Sequence, residues 1–292
     1  MTDADQPVRA AQRPPFWMAP AEHVASLGAV IVRLVAEFGE FTRFTGAVFR
    51  GILSTRSWAR RERIGRQLFF VGTTSVPVLA LTGGFIGMIL AFEGYRQFQS
   101  IGQETRLGAV INLSVVKQIG PVLAAVMLAG RVGCALTAEL GTMRVTEQLD
   151  AMKVMASDPV RVLVVPRFLA CVLVIPLLTV ISNVCGVLGG WLIITRFYGA
   201  DPVPYERFSA QFINSYDIAS GLIKSVFYGG GIGLIACWKG FSCKPGAQGV
   251  GEATTHSFVT SFVTIILMTL VLAKVLNDID FMIHGGVDSV FR

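Results

Sequence analysis

Charge is scarce in this chain. Only 15% of its 292 residues are Asp, Glu, Lys or Arg, where a soluble globular domain carries about a quarter. With 53% hydrophobic residues and a mean hydropathy of +0.61, the deficit points to lipid as the main solvent. Cysteine is sparse as well. Cys134, Cys171, Cys185, Cys237 and Cys243 lack CxxC spacing and have mostly apolar neighbours, so they suggest neither a disulfide framework nor a metal cluster and read as small buried hydrophobes. His23, His256 and His284 are far apart and lack ligand spacing. No GxxxxGK[ST] is present, so the chain has no P-loop for ATP. HExxH, GxSxG and any close pair of membrane carboxylates are also missing, so no catalytic residue is nominated. The first twenty residues hold Pro7, Pro14, Pro15 and Pro20 but no apolar core of a cleavable signal, and the first span is expected to direct insertion itself.

What is present is a series of apolar runs, at about 68–92, 107–136, 162–195, 218–238 and 255–276, with no soluble-length interval between them. Each reaches the roughly 20 residues that cross a hydrocarbon core. The pattern predicts an all-α membrane protein with five transmembrane helices. The first run carries Pro77 and a small-residue face at Gly83, Gly84 and Gly87; the third carries Pro166, Pro176 and glycines between Gly186 and Gly190. Such faces let helix backbones approach closely. Ahead of the runs, Val24, Leu27, Ile31, Leu34, Phe38, Phe41, Thr45, Val48 and Ile52 recur every three or four residues, with Arg33, Glu37, Glu40, Arg43 and Arg50 off that seam. This predicts an amphipathic helix lying in the membrane interface, with Trp58 and Arg60–Arg66 marking the headgroup boundary. The expected division is a tail over 1–21, an interfacial helix and basic flank over 22–67, a five-helix domain over 68–277 and a tail over 278–292.

The net charge of +6 does not point to nucleic acid, because ten of the 25 basic residues precede Leu68 as the flank of a membrane span. With the N-terminus inside, the inner segments 1–67, 139–161 and 239–252 hold fifteen Lys and Arg and the outer segments hold five. The positive-inside rule therefore places 139–159 in the cytoplasm. That segment stands out from its surroundings: Glu139, Arg144, Glu147, Asp150 and Lys153 crowd between two long apolar runs. Val145, Leu149, Met152 and Met155 or Ala156 give it an apolar face at helical spacing, and Asp158-Pro159 is expected to end the helix. A short cytoplasmic helix of this kind fits either a partner's docking groove or the bilayer surface. Within the spans, Lys117, Arg131, Lys224 and Lys274 are the costly ionisable residues. All are basic, which suits an anionic head near a cavity better than a proton relay. Arg131 and Lys274 also lie near enough to helix ends to snorkel.

The run Ala129-Gly130-Arg131-Val132-Gly133, the stretch Ala138-Glu139-Leu140-Gly141-Thr142-Met143-Arg144-Val145-Thr146-Glu147-Gln148-Leu149-Asp150-Ala151-Met152, and Asp158-Pro159, Pro166-Arg167 and Ile175-Pro176-Leu177-Leu178 resemble the MlaE/YrbE family. Leu222-Ile223-Lys224-Ser225 and Gly249-Val250-Gly251-Glu252-Ala253-Thr254-Thr255 extend the resemblance, which covers about residues 60–276. It implies the permease subunit of an ABC transporter in a bacterial inner membrane, multi-pass with a cytoplasmic N-terminus. It further implies a homodimer, a cytoplasmic P-loop ATPase that holds ATP and Mg, and an MCE-domain ring protein on the outer side. The substrate implied is a membrane lipid, commonly a phospholipid. On this resemblance a cytoplasmic coupling helix lies between the second and third spans. The ATPase-coupling residues are Glu139, Met143, Arg144, Glu147, Leu149, Asp150 and Met152, and the lipid path is expected along Phe92, Tyr95, Arg131 and Lys224. The loop 239–248 and the tail from Asp278 depart from the family pattern. The competing expectation is an ATPase-independent membrane carrier or scaffold for hydrophobic molecules.

Overall fold

The computed structural model describes residues 19–53, 61–103 and 106–284, all helix or short connection. Trp58, residues 1–18 and 285–292, and the side chains of Val24, Leu27, Ile31 and Leu34 lie outside the described residues. Two compact units divide at Val48. The first is the helix α1 (Ala19–Leu53) up to Ala47, where Val32, Val35 and Phe38 are exposed.

The second unit begins with the last turns of α1 and contains everything that follows. Helices α2 (Arg61–Thr73) and α3 (Val76–Ser100) are separated by a two-residue break and together form the first apolar span, Ile64–Ser100. Pro77 causes no kink inside the span, because it occupies the first turn of α3, where its missing N–H would have had no partner. The second span, α4 (Leu107–Val145), contains two π-helical turns, and α5 (Gln148–Val154) is a separate short helix. The third span is α6 (Val160–Phe197), followed by the surface helix α7 (Pro202–Phe212). Helices α8 (Ser215–Phe241) and α9 (Ala247–His284) complete the set. Among the described residues there are thus five helices long and apolar enough to cross a membrane, and no strand.

Several boundaries differ from expectation. Helix α3 continues past the first apolar run, which ends at Phe92, to Ser100, so Glu93, Arg96, Gln97 and Gln99 sit on the end of a span. The fifth helix also continues past the expected boundary at 277 to His284. Both overruns have one cause: hydropathy marks the part of a helix that lies in hydrocarbon, whereas backbone hydrogen bonding carries the helix on into polar surroundings. Helix α7 lies outside the five apolar runs and starts where Asp201 caps Val203 N–H at 3.0 Å and Pro202 opens the first turn.

The two glycine faces pack on each other. Spans one and three run in parallel, with Gly83 against Ser182 and Gly87 against Gly186, the latter so close that a methyl on Gly87 would land on the Gly186 carbonyl. Spans two, four and five are joined by polar contacts. The Thr137 hydroxyl lies 2.9 Å and 3.0 Å from the carbonyls of Gly133 and Ala236, and 2.8 Å from the Ser257 hydroxyl. Tyr228 and Thr269 hydroxyls meet at 2.7 Å, and Tyr216 donates to the Leu276 carbonyl at 2.6 Å. In lipid such contacts supplement packing where no hydrophobic drive exists between helices. The cysteines are free thiols, with Cys171, Cys237 and Cys243 buried as expected.

Candidate functional site: the 146–156 tip and the polar cluster within the spans

The single helix expected over the charged segment is two pieces. Span two carries Glu139, Met143 and Arg144 as its last turns, and the backbone then breaks at Thr146 and Glu147. Glu147 adopts φ 58°, and Ala156, on the far side of α5, adopts φ 56°. Left-handed conformations at non-glycine residues are uncommon and cost energy. Two of them bracketing seven residues of helix define a sharply folded tip. Asp158-Pro159 does not terminate this helix. Asp158 accepts from Val160 N–H at 3.0 Å and starts the third span instead.

The tip is held from within. Arg144 Nη1 donates to both carboxylate oxygens of Asp150 at 3.2 Å, and Lys153 Nζ donates to Oδ1 at 2.8 Å. The Lys153 hydrogen bond foremost, and the charges of Lys153 and Arg144, hold the Asp150 carboxyl below its ordinary value. A carboxyl lowered in the folded state adds order that is complete above its unfolded value, about 4, and is lost as pH falls through the folded value. Asp150→Asn is therefore expected to raise hydrogen exchange across 148–154 at neutral pH and to abolish its acid dependence below about pH 4. Unchanged exchange in the variant would show that the pair does not order the tip.

The apolar face expected on this segment divides. Leu149 is buried in the molecule's own core and Met152 is half-buried, while Val154 is 88% and Met155 71% exposed. Glu147 and Gln148 are exposed beside them. The surface offered outward is thus a small patch of Val154, Met155 and Ala156 edged by Glu147. Glu139 faces away from it, accepting from buried Arg167 at 2.6 Å.

The residues expected along a lipid path are not gathered in one place. Phe92, half-exposed, meets Phe197 and Tyr198 edge-on at 5.5 Å and 5.9 Å between centroids. Tyr95 is buried and stacks on Tyr198 at 3.8 Å. Arg131 is exposed in the second π-turn, and Lys274 is exposed too. Lys224 is only 2% exposed, with Nζ donating to the Lys117 carbonyl at 2.9 Å and to Gln118 Oε1 at 2.6 Å. The sequence explains that arrangement. Pro121, four residues after Lys117, has no N–H to give to the Lys117 carbonyl, and the chain passes through a π-turn there. Lys224 supplies a donor from the neighbouring helix. Lys117 in turn pairs with Asp217 at 3.0 Å, while Asp217 closes a capping box with Asn214 at the start of α8. These three side chains form one internal network that locks spans two and four.

A second constellation had no motif to announce it. Near the far end of span three, a cleft of about 620 Å³ is lined by Asn112, Val187, Leu188, Trp191, Tyr205, Glu206, Ser209, Ala210 and Ile213. Tyr205 donates to Asn112 Oδ1 at 3.3 Å, Asn112 Nδ2 to Ser209 at 2.9 Å, and Trp191 Nε1 to Glu206 at 3.1 Å. Burial pushes the Tyr205 hydroxyl up to about 12, so it stays protonated and able to donate. Only Asn112 inside an apolar run hinted at this network.

The family model described as Permease MlaE matches residues 64–275, from the first residue of span one into span five. The chain belongs to this family. Its relatives include the intermembrane phospholipid transport system permease protein MlaE of Haemophilus influenzae, 35% identical over 256 residues that cover 87% of this chain and 97% of that one. A probable ABC transporter permease protein of Synechocystis is 40% identical over 248 residues, 85% of this chain and 92% of its own. The chloroplastic protein trigalactosyldiacylglycerol 1 of Arabidopsis thaliana is 34% identical over 225 residues, 77% of this chain and 63% of its own. The MlaE-family chain is thus a multi-pass membrane permease, and the stretch that carried the resemblance is the end of span two together with the folded tip.

Proposed function

We propose that this permease is the membrane subunit of an ATP-driven ABC transporter that moves phospholipid between a bacterial inner membrane and an MCE-domain shuttle. The observation that carries the reading is the tip. A fold held by Arg144, Asp150 and Lys153 presents an uncovered Val154–Met155 patch on α5, one tight turn beyond the end of span two. A load applied there reaches the span across only the two-residue break at Thr146 and Glu147, which the Arg144–Asp150 pair bridges. The excess of Lys and Arg on the same side supports a cytoplasmic tip, where a separate P-loop ATPase holding ATP and Mg would dock.

The name of the Haemophilus relative supports phospholipid as the substrate class. A second copy of the chain is the partner that the exposed spans suit best. The apolar window of span five is only 17% buried and that of span one 28%, against 50% for spans two and four. Lipid would pass along those uncovered faces, beside Phe92 of span one and Arg131 of span two, while Tyr95 anchors span one and Lys224 ties span four to span two. The amphipathic α1 would lie in the cytoplasmic interface.

The test is lipid transfer from vesicles carrying the chain with its cognate ATPase and a lipid-accepting MCE protein. Transfer that needs ATP is expected. Equal transfer by the chain alone, down a lipid gradient, would replace this reading with an ATPase-independent carrier.

A further inference from the structure

Beneath the tip lies a cleft of about 340 Å³, lined by Arg66, Gln67, Glu139, Met143, Met152, Val162, Leu163, Pro166 and Arg167. Arg167 is 2% exposed and uses Nη2 to hold Glu139 at 2.6 Å, but its Nε–H and Nη1–H groups have no acceptor among the described residues. Gln67 Oε1, also buried in the lining, has no donor. Buried polar atoms are rarely left so, and leaving charged donors unpaired is the costlier case. The lining therefore lacks both acceptor oxygens and a donor. Its charged groups are Arg66, Arg167 and Glu139, an excess of one positive charge. The remaining walls are two methionines, valine, leucine and proline.

Depth narrows the occupant. Span two has 39 residues, about 58 Å of helix at 1.5 Å per residue, against a hydrocarbon core of about 30 Å. Centred, it projects roughly 14 Å beyond the core at each end. Glu139 and Arg167 lie six and seven residues inside the ends of their spans at Val145 and Val160, or about 10 Å. Both therefore sit a few ångströms outside the hydrocarbon, level with lipid phosphates.

We propose that this cleft binds the headgroup of an anionic glycerophospholipid from the adjacent leaflet, with Arg167 and Arg66 on the phosphate, Gln67 accepting from a headgroup hydroxyl, and the methionine–valine–leucine wall against the glycerol and upper acyl chains. This site goes beyond the transport reading. Its occupant is a resident lipid wedged between the tip and span three, and its binding needs no ATPase.

The full chain, purified in detergent and exchanged with phosphatidylglycerol or phosphatidylcholine of equal chain length, is examined by native mass spectrometry for retained lipid. A preference for phosphatidylglycerol of roughly tenfold is expected, because both lipids offer the phosphate but phosphatidylcholine sets a cation against the lining's positive excess and has no hydroxyl for Gln67. Arg167→Gln is expected to remove it. If that variant does not fold, Arg66→Ala, at an exposed position, decides: a clear drop in preference supports the site and an unchanged preference overturns it. Equal retention of the two lipids by the unaltered chain overturns it as well. So does protection against thermal unfolding by inorganic phosphate equal to that by phosphatidylglycerol, which would make the cleft a site for a free anion. Displacement of the bound lipid by the ATPase subunit would assign the arginines to an acidic side chain of that partner and also end the proposal.

Discussion

Gly87→Ala lowers the thermal midpoint of the detergent-solubilised chain by several degrees, while Gly84→Ala leaves it nearly unchanged. The two glycines are three residues apart on one helix, so propensity and lipid exposure do little to separate them. Their opposite surroundings do. A methyl on Gly87 meets the backbone carbonyl of Gly186, which cannot rotate away, whereas one on Gly84 finds its nearest atom, the Cys185 carbonyl, at 3.7 Å. Forcing a methyl into a filled site costs about 1–3 kcal/mol, and backbone as the obstacle puts Gly87 at the upper end. Gly87→Leu is expected to prevent spans one and three from packing at all. Equal midpoints for the two alanine variants would mean that the spans do not meet through this face.

Asp217→Leu is expected to be the most damaging single change in the polar interior, and Asp217→Asn distinctly milder. The carboxylate has two roles: it neutralises Lys117 at 3.0 Å and accepts the Asn214 N–H at 3.1 Å in the capping box. Leucine removes both. It leaves Lys117 uncompensated inside a span, where a lone charge costs about 2.5–3.5 kcal/mol, and loses a cap worth about 1 kcal/mol. Asparagine keeps a cap acceptor and loses only the charge. Replacing Lys117 by Met in the leucine variant is expected to recover most of the loss, because the stranded charge is then gone. The readout is the thermal midpoint together with the fraction of protein extracted as a single species. No recovery in the double variant would show that Lys117 and Asp217 do not form the unit described.

How far these features were legible depends on whether their cause is local. The five spans and the glycine faces could be read directly, since length, hydropathy and small-residue spacing are local properties. That Gly87 faces Gly186 could not, because the pairing is fixed by packing a hundred residues away. The charged segment between spans two and three was found by composition, but its break was missed. No glycine or proline marks Glu147, and Leu140, Val145, Leu149 and Met152 carry the helical period across the turn. Lys224 stood out as a costly charge in an apolar run and was therefore expected along a lipid path. The structure buries it against the Lys117 carbonyl, the one that Pro121 leaves without its usual donor. Both residues were visible in the sequence, yet only the fold brings them together. The arginine cleft beneath the tip was less visible still, since Arg66, Glu139 and Arg167 come from three different helices.

The transport account stands most directly on the 146–156 tip. Its decisive measurement is the affinity of the cognate ATPase subunit for the detergent-solubilised chain, compared with a Val154→Asp, Met155→Asp variant whose thermal midpoint matches the original. Truncating buried anchors of an interface costs about 2 kcal/mol or more each, and charged aspartates in their place cost no less. The account therefore predicts a loss of at least about a hundredfold. Equal affinity would contradict it and leave the tip without its proposed partner.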